Sequence, residues 1–266
     1  MQENKDYLQV AIIAAKEAGR IQMLHFGQSH PVEYKGEFNP VTEVDRLCER
    51  AIIRTISDAF PDHDILTEES PFEGKGSPWK WIVDPLDGTT NYLHGFPCFC
   101  VSIGLEVEGD VRLGVVYIAP LDELFHAEKG KGAFLNGERI FVSRVDRLSR
   151  SLLCTGFPYD VHEHVDFYLS YFRQFITKCF AIRRPGSAAV DLSYVAAGRF
   201  DGFWEFKLHA WDVAAASLMI TEAGGKVTDC QGKAFNIYSG EILASNGLIH
   251  EEMLRTICET EGKTGK

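Results

Sequence analysis

An apolar run that leads into two closely spaced aspartates constrains this chain more than any other stretch. Trp81, Ile82 and Val83 are followed directly by Asp84-Pro85-Leu86-Asp87-Gly88-Thr89-Thr90-Asn91. The run predicts a buried strand, because short apolar segments bounded by turn residues are typical of strands. Pro85 restricts Asp84 to an extended conformation, and Gly88 permits a sharp turn. The carboxylates of Asp84 and Asp87 are therefore expected to converge.

Converging carboxylates repel each other unless a cation lies between them. A turn in which each carboxylate caps a separate backbone amide is the alternative, and Asp87-Gly88 alone fits it. Such a turn requires neither Pro85 nor a second aspartate nor a threonine pair, so the complete motif favours a metal site. A helix or turn would begin near Thr89, with backbone amides free to hold a phosphate. Thr89 would serve as its N-cap, orient a metal-bound water, or do both.

Two further acidic sites are candidates to complete such a cluster, and a third aspartate lies in another predicted helix start. Glu68-Glu69 follows the apolar Ile65-Leu66 at the tip of a predicted strand, and Asp212 follows Trp211 at the start of an Ala-rich helix. Asp45 falls in the first turn of a helix predicted from 42 to 60, which Pro61 ends. Each also has an ordinary explanation, because aspartates in a first turn complement the helix dipole and paired glutamates commonly form a solvated edge.

The charge balance excludes some partners. The chain carries 38 acidic and 27 basic residues and a formal charge of −11, so we expect no direct binding to nucleic acid or to an anionic membrane. An anionic substrate would need bound divalent cations, for which clustered carboxylates are suitable ligands. The polar N-terminus lacks the features of a signal peptide, and no apolar stretch approaches the ~20 residues that cross a bilayer. These features predict a cytoplasmic protein.

The seven cysteines are scattered, and we expect them to be reduced and buried. Cys98 and Cys100 lie two apart in an apolar run, where strand alternation would place both on one face as small core residues. A zinc site is not favoured, because no second closely spaced pair completes it.

The order of elements divides the chain into two halves. The first half contains two helices, over 4–26 with Leu8, Ile12, Ala15, Gly19 and Met23 inward, and over 42–60 with Leu47, Ala51 and Ile52 inward. A hairpin of 98–107 and 111–118 follows, with another tight turn at 134–138. The polar segment 144–150 leads into a second half with helices near 164–178, 187–197 and 211–223 and a strand at 203–205.

In this order, the motifs resemble those of the inositol monophosphatase family of lithium-sensitive, metal-dependent phosphatases, most closely its bacterial members. The segments that carry the resemblance are Trp81 to Asn91, Trp211-Asp212-Val213-Ala214-Ala215 and Glu68-Glu69-Ser70. The resemblance implies a layered α/β/α/β/α sandwich. Residues 1–145 would form an α+β half with most of the metal ligands, and 146–266 an α/β half with Asp212 and the polyol pocket.

The resemblance also implies roles for individual residues. The ligands of two or three Mg²⁺ ions would be Glu68, Asp84, Asp87, Asp212 and the Leu86 carbonyl. Asp45 and Thr89 would position and activate the attacking water, and Glu68 would join them as a catalytic residue. The substrate, a small phosphorylated polyol, would be contacted by Gly88, Thr89, Gly186, Ser187, Ala188, Glu205 and Asp212. A homodimer is implied as well.

The sequence departs from the family pattern at two positions and leaves some side chains open. Thr67 and Ala216 stand where glycine is common, and Ala216 adds a methyl group to a helix that needs close packing. Glu205 ends an apolar strand, where it would bind two hydroxyl groups or lie as a charge at a surface edge. Arg183 and Arg184 would bind an anion, cap carbonyls or pair across a subunit interface, and a structural or interface role is favoured. His209 is expected to support the site by packing, since magnesium prefers oxygen ligands.

These inferences favour Mg²⁺-dependent hydrolysis of inositol 1-phosphate by a metal-activated water. One alternative is a fructose-1,6-bisphosphatase or 3′-phosphonucleotide phosphatase of the same superfamily. Either would need a second anion site, which Lys35, Arg183, Arg184 or Arg199 could supply. The other alternative is a partner-binding role on the same fold, for instance in RNA metabolism.

Overall fold

The structure, a computed structural model, describes residues 6–28, 32–34 and 40–264. The helices in these ranges are α1 Tyr7–His25, α2 Glu43–Ala59, α3 Thr89–Leu93, α4 Val165–Ile176, α5 Ala188–Ala196, α6 Ala210–Glu222 and α7 His250–Thr264. The strands of the first half are β1 Val32–Tyr34, β2 Pro40–Thr42, β3 Asp64–Thr67, β4 Trp79–Asp87, β5 Cys100–Val107, β6 Asp110–Ile118, β7 Glu123–Glu128, β8 Gly132–Leu135 and β9 Glu138–Ile140. Those of the second half are β10 Leu152–Thr155, β11 Ala181–Arg183, β12 Gly202–Phe206, β13 Lys226–Thr228 and β14 Glu241–Ser245.

Two mixed sheets organise these elements. The first has seven strands in sequence order from β3 to β9, with β3 and β4 parallel and the other neighbours antiparallel. The second has five strands in the order β11-β10-β12-β14-β13, parallel between β11, β10 and β12 and antiparallel elsewhere. The short strands β1 and β2 pair with each other.

Three hydrophobic clusters show how the layers stack. Side chains of α1 and α2 pack on one face of the seven-stranded sheet. Those of α5 and α6 fill the space between its other face and the five-stranded sheet. Side chains of α4 and α7 cover the outer face of the five-stranded sheet. The expected α/β/α/β/α sandwich is thereby confirmed.

The alternation along β4 explains how one strand serves two layers. Trp81 and Val83 belong to the cluster with α1 and α2, whereas Ile82 between them belongs to the cluster with α5 and α6. All three side chains are fully buried. Because successive strand residues point to opposite faces, a strand covered on both sides needs an uninterrupted apolar run.

Two glycines bring helix α6 close to the seven-stranded sheet. Gly104 on β5 and Gly114 on β6 are directly paired. A Cβ at Gly114 would lie 2.4 Å from the carbonyl oxygen of Ala215, and one at Gly104 would lie 3.1 Å from the Cβ of Ala214. The close packing expected near Ala216 therefore depends on two glycines of the sheet, which contact the helix at Ala215 and Ala214.

The structure corrects the inward faces of two helices. Ala15 and Gly19 of the predicted stripe of α1 are buried, whereas Leu8 and Ile12 are half-buried and Met23 is exposed. The rest of the fully buried stripe is Ala11, Ala14 and Ala18. The small side chains allow close approach of neighbouring elements, which a count of large apolar residues does not reveal. In α2 the buried apolar residues are Val44, Cys48, Ile52 and Ile56, while Leu47 and Ala51 are only half-buried.

Several other predictions are confirmed, and one about the cysteines is partly wrong. The hairpin β5–β6 and the turn between β8 and β9 form as expected. All seven cysteines, each within the described ranges, are free thiols, but Cys98 and Cys179 are half-buried and Cys258 is exposed. Residues 4 and 5 of the predicted first helix lie outside the described residues. No helix in the described ranges is long and apolar enough to cross a membrane.

Candidate active site

Strand β4 continues through the two aspartates and bends between them. Its pairing with β5 shifts register between Asp84 and Asp87. The backbone amide of Leu86 donates a hydrogen bond of 2.9 Å to Oδ1 of Asp84. Such a bond to an amide two residues ahead is typical of an Asx turn, and it fixes the first carboxylate. The strand was expected to stop before the motif, and the structure places the motif within it.

Asp212 joins these two aspartates from the second half of the chain. Oxygen atoms of Asp84, Asp87 and Asp212 all lie within 4.8 Å of one another. Asp212 occupies the third position of α6, where its Oδ2 accepts a hydrogen bond of 2.6 Å from the backbone amide of His209. This capping box orients the carboxylate at the start of the helix. His209 itself stacks on Trp211, which agrees with its expected packing role.

Asp87 is held by the start of α5. Its Oδ2 accepts a hydrogen bond of 2.6 Å from the Ser187 hydroxyl and one of 2.8 Å from the Ala189 amide. Ser187 is also the N-cap of α5. The hydroxyl proton of Ser187, a residue expected to line the polyol pocket, is donated to a carboxylate of the cluster.

The electrostatics of the cluster are unfavourable without a cation. Burial raises the pKa of Asp84, Asp87 and Asp212. The negative charges of Glu68 and Asp87 raise the pKa of Asp84 further. Glu68 follows β3 in a loop, half-buried, near the three aspartates but outside their 4.8 Å group. Grouped acidic side chains that raise one another's pKa are typical of sites that hold a positive ligand.

The donor set fits a hard divalent cation. One oxygen each of Asp84, Asp87 and Asp212 is anchored by a backbone amide. A second oxygen on each remains, and carboxylate oxygens are the ligands that Mg²⁺ prefers. The side chains present therefore suit a magnesium centre, and Glu68 offers a further carboxylate nearby in the loop after β3.

Thr89 and Asp45 form a hydrogen-bonded pair next to this segment. The Thr89 hydroxyl lies 3.0 Å from Oδ1 of Asp45 and 3.1 Å from the carbonyl oxygen of Leu86. Asp45 is the third residue of α2, and its Oδ2 accepts hydrogen bonds from the amide and hydroxyl of Thr42. Burial raises the pKa of Asp45, while the bonds from Thr42 and Thr89 oppose the shift. The carboxylate is thus oriented from one side and able to accept a proton on the other.

The prediction that Thr89 caps a helix is wrong. Gly88 is the N-cap of α3, with φ of +94°, and Thr89 is the first helical residue. A side chain at residue 88 would be strained there, and its Cβ would lie 2.8 Å from the Cys98 carbonyl oxygen. The hydroxyl of Thr89 is consequently free of any capping role.

Two supporting residues were missed. Asn91, the last residue of the motif, donates to the carbonyl oxygens of Cys98 at 2.7 Å and of Pro185 at 2.8 Å, and so ties the two halves together. Gln22 on α1 is fully buried and donates to the Pro85 carbonyl at 2.9 Å. The sequence could have indicated Gln22, because it is a polar residue on the same face of α1 as the buried alanines.

Glu205 lies inside the protein rather than at a surface edge. It is buried in β12, and a Cβ at Gly156 would lie 2.2 Å from its Oε1. Burial raises the pKa of Glu205 to about 8, although the charge of Arg184 opposes the shift. Gly186 has φ of +96°, and a Cβ there would lie 2.8 Å from Nη1 of Arg184. Ala188 is the first residue of α5 and is buried. The charge of Arg184 acts on Glu205, an effect that the favoured structural or interface role did not include.

The other cations proposed for a second anion site are placed differently. Arg199 makes two hydrogen bonds, of 2.8 and 2.6 Å, to the carboxylate of Glu123. Arg183 is exposed and donates to the neighbouring carbonyl of Ile182. Lys35 lies outside the described residues.

Comparison with known proteins agrees with this site. The model of the inositol monophosphatase family matches residues 3–261. An inositol-1-monophosphatase of Mesorhizobium japonicum is 43% identical over 253 residues, 94% of this chain and 95% of its own. The Nus factor SuhB of Pseudomonas aeruginosa is 40% identical over 263 residues, with 94% and 95% covered. The solved structure of the IMPase of Thermotoga maritima has a TM-score of 0.90 at 40% identity, covering 98% of this chain and all of that one (100%).

The layered fold and the carboxylate cluster define the class, a metal-dependent phosphatase. Within that class, the chain belongs to the inositol monophosphatase family, as the match across nearly its whole length shows.

Proposed function

We propose that this phosphatase hydrolyses inositol 1-phosphate to inositol and inorganic phosphate, with two or three Mg²⁺ ions held by its carboxylates. One observation carries the proposal: carboxylate oxygens of Asp84, Asp87 and Asp212 lie within 4.8 Å of one another. The Leu86 carbonyl, which lies between the first two in sequence, contacts the Thr89 hydroxyl. Glu68 and the Leu86 carbonyl complete the proposed ligand set. Bound magnesium would stabilise negative charge on phosphate oxygens and lower the pKa of a bound water.

The proposed chemistry assigns one proton path to the chain. The Thr89 hydroxyl donates to Asp45, so its own oxygen is oriented to accept a proton from the attacking water. The raised pKa of Asp45 favours its role as the final proton acceptor. The bond from water oxygen to phosphorus forms as the ester bond breaks. The inositol oxygen leaves as an alkoxide and takes a proton from solvent, while Asp45 returns the proton that it accepted. The amides of Gly88 and Thr89 are the proposed contacts of the phosphate.

The polyol end is assigned to Glu205, with Gly186, Ala188 and Asp212 around it. A carboxylate can accept hydrogen bonds from two hydroxyl groups, which suits inositol better than a second phosphate. Arg199 forms an ion pair with Glu123, so its charge does not serve a second anion site of the kind that a bisphosphate would need. These features favour a monophosphate over fructose 1,6-bisphosphate or a 3′-phosphonucleotide.

A phosphate-release screen with Mg²⁺ tests the proposal. We expect the highest kcat/KM with inositol 1-phosphate among inositol phosphates, sugar bisphosphates and 3′-phosphonucleotides. Glu205→Ala should lower kcat/KM for inositol 1-phosphate more than for an unspecific ester such as p-nitrophenyl phosphate. Glu222→Ala is a matched control, because that carboxylate binds the backbone amides of Gly130 and Gly132 instead. A higher kcat/KM with a bisphosphate would refute the substrate assignment.

A partner-binding role is a second candidate, because one relative is named a Nus factor. Capture of a specific partner from a lysate, compared with and without Mg²⁺, tests it. We further propose a cytoplasmic homodimer in which the halves 1–145 and 146–266 meet at the metal site. Analytical ultracentrifugation of the purified protein checks the dimer.

A further inference from the structure

A hydrogen bond that the proposed chemistry does not use joins helix α2 to the end of strand β3. The Thr67 hydroxyl donates to Oε1 of Glu49, and the two residues are buried, with 4% and 3% of their surface exposed. A buried carboxylate loses its hydration, so partners inside the protein must replace the lost water. Thr67 is also one of the two positions that depart from the family pattern, in which glycine is common there. A glycine has no hydroxyl and could not form this bond.

The register of β3 places Thr67 and Glu68 on opposite sides of the sheet. Thr67 pairs with Val83 on the parallel strand β4, and the next residues along the two segments are Glu68 and Asp84. Val83 belongs to the cluster with α1 and α2, which is the side on which Thr67 contacts α2. Successive residues of an extended chain point to opposite faces. Glu68 is therefore directed to the other side, where the aspartate cluster lies.

The same hydroxyl closes the turn that carries Glu68. The backbone amide of Ser70 lies 3.4 Å from Oγ1 of Thr67, with Glu68 and Glu69 between these two residues. Hydroxyl side chains stabilise turns through hydrogen bonds of this kind to the backbone that follows them. Because the Thr67 proton is donated to Glu49, its oxygen is oriented to accept from Ser70. The bond to Glu49 thus holds the hydroxyl and, through it, the turn.

Helix α2 joins this turn to the proposed proton path. Asp45 and Glu49 lie four residues apart on α2, and residues with this spacing are neighbours on one face of a helix. Asp45 accepts a hydrogen bond of 3.0 Å from the Thr89 hydroxyl. Glu49 accepts its bond from Thr67 one helical turn later. One helix therefore contacts both the motif at the end of β4 and the turn after β3.

We propose that Glu49 is a positioning residue, which acts through Thr67 to place the carboxylate of Glu68 for a Mg²⁺ ion. This inference rests on the proposed function, in which Glu68 is a metal ligand. A ligand that is already held in place loses less conformational freedom when the ion binds, so the ion binds more tightly. Removal of a side chain that supports a metal ligand typically weakens metal affinity by about 10- to 100-fold.

Calorimetric titration of the purified protein with Mg²⁺ alone, without substrate, tests the positioning role. We expect Glu49→Ala and Thr67→Val each to raise the Kd for Mg²⁺ by about tenfold or more. Glu49→Gln keeps an acceptor oxygen and Thr67→Ser keeps the donor hydroxyl, so each should stay within about threefold of the wild-type Kd. If Glu49→Ala does not fold, Thr67→Val removes the same bond from the other side and decides the question.

Glu106→Ala is the matched control. Glu106 is also a buried glutamate, but its carboxylate accepts hydrogen bonds from Lys80 and Tyr238 near the opposite end of β4 from the aspartates. This variant should lower the melting temperature and leave the Kd for Mg²⁺ unchanged. A purely structural role predicts that Glu49→Ala and Thr67→Val behave in the same way as this control, and that result would overturn the proposal.

Combined variants test whether Glu49 acts through Glu68. In a Glu68→Gln background, where the ligand charge is already lost, Glu49→Ala should raise the Kd for Mg²⁺ by no more than about twofold further, since changes that act through one group are not additive. A further tenfold rise would mean that Glu49 acts by another route, which contradicts the proposal. A Glu68→Gln variant with the wild-type Kd would overturn both the proposed ligand set and this inference.

The titrations also separate this inference from the proposed function. A wild type that binds Mg²⁺ but releases no phosphate from inositol 1-phosphate refutes the proposed substrate, while the Kd values still decide the role of Glu49. A wild type that hydrolyses inositol 1-phosphate, together with a Thr67→Val variant of unchanged Kd, refutes the positioning role alone.

Discussion

Replacing Gly114 on β6 by alanine should disturb the site indirectly, through helix α6, which carries Asp212. The new Cβ would lie 2.4 Å from the carbonyl oxygen and 2.8 Å from the Cα of Ala215, where ordinary contacts are 3.4–4 Å. Helix α6 would have to move by about 1 Å, and overpacking of this kind costs about 1–3 kcal/mol. Asp212 lies one helical turn before Ala215 and would move with it. Because a misplacement of about 1 Å can cost ~10²-fold in rate, we expect kcat to fall by up to that factor.

Thermal unfolding and steady-state kinetics with saturating Mg²⁺ measure the two effects. The melting temperature should fall by roughly 2–5 °C for a chain of this size. Gly104→Ala is the matched control on the neighbouring strand, where the new Cβ would lie 3.1 Å from a side-chain atom of Ala214 and both effects should be smaller. Ala215→Gly should not rescue Gly114→Ala, because the clash involves the main chain. A destabilised Gly114→Ala enzyme with wild-type kcat would refute the link to Asp212.

Three further outcomes are expected. Thr89→Ala should lower turnover by ~10²–10⁴ with little change in Mg²⁺ affinity or melting temperature, because the hydroxyl caps no helix, and Thr89→Ser should retain much of the activity. Excess chelator should abolish activity, and Li⁺ should inhibit the enzyme. Asp84→Asn should be inactive and should lose the stabilisation by Mg²⁺ that raises the melting temperature of the wild type. In the wild type this stabilisation is about 2.7 kcal/mol at a Mg²⁺ concentration of 100 times the Kd. The pKa of buried His250 is lowered by burial from 6.5 to about 4, so its protonation favours unfolding, and up to about 3 kcal/mol of stability should be lost as pH falls from about 6.5 to about 4. Denaturant titrations across this range should show a shallower loss for His250→Asn, and equal slopes would contradict the assignment.

The fold could be predicted wherever local pattern determines structure. The apolar run before Asp84 is a strand because it is buried on both faces, and the helices that begin near Asp45 and Asp212 start where first-turn acidic residues indicated. The inward face of α1 was predicted only in part, because most of its contact surface is made of alanines, whose burial depends on how near the neighbouring elements come. Large apolar side chains are the usual guide to a helix face, and here they lie beside it.

The acidic residues of the site could be predicted from the sequence, but the hydrogen bonds that hold them in place could not. Which oxygen of Asp87 is anchored depends on Ser187, 100 residues along the chain, and the support of Pro85 by Gln22 spans 63 residues. The burial of Asp191 on α5 gave no signal in the sequence, because an aspartate near a helix start has an ordinary explanation. It arises only when the second sheet packs on α5. Contacts of this kind depend on tertiary structure and leave no local pattern.

The two capping boxes make the site and the start of two helices a single unit. Asp45 binds the amide of Thr42 through one oxygen and faces Thr89 with the other, and Asp212 similarly binds the amide of His209. Fraying of either first turn would therefore release a functional carboxylate. Ligands that hold these carboxylates should slow hydrogen exchange at the amides of Thr42 and His209, at helix ends that would otherwise open readily. The exchange rates of two backbone protons thus become a measure of how well the site is assembled.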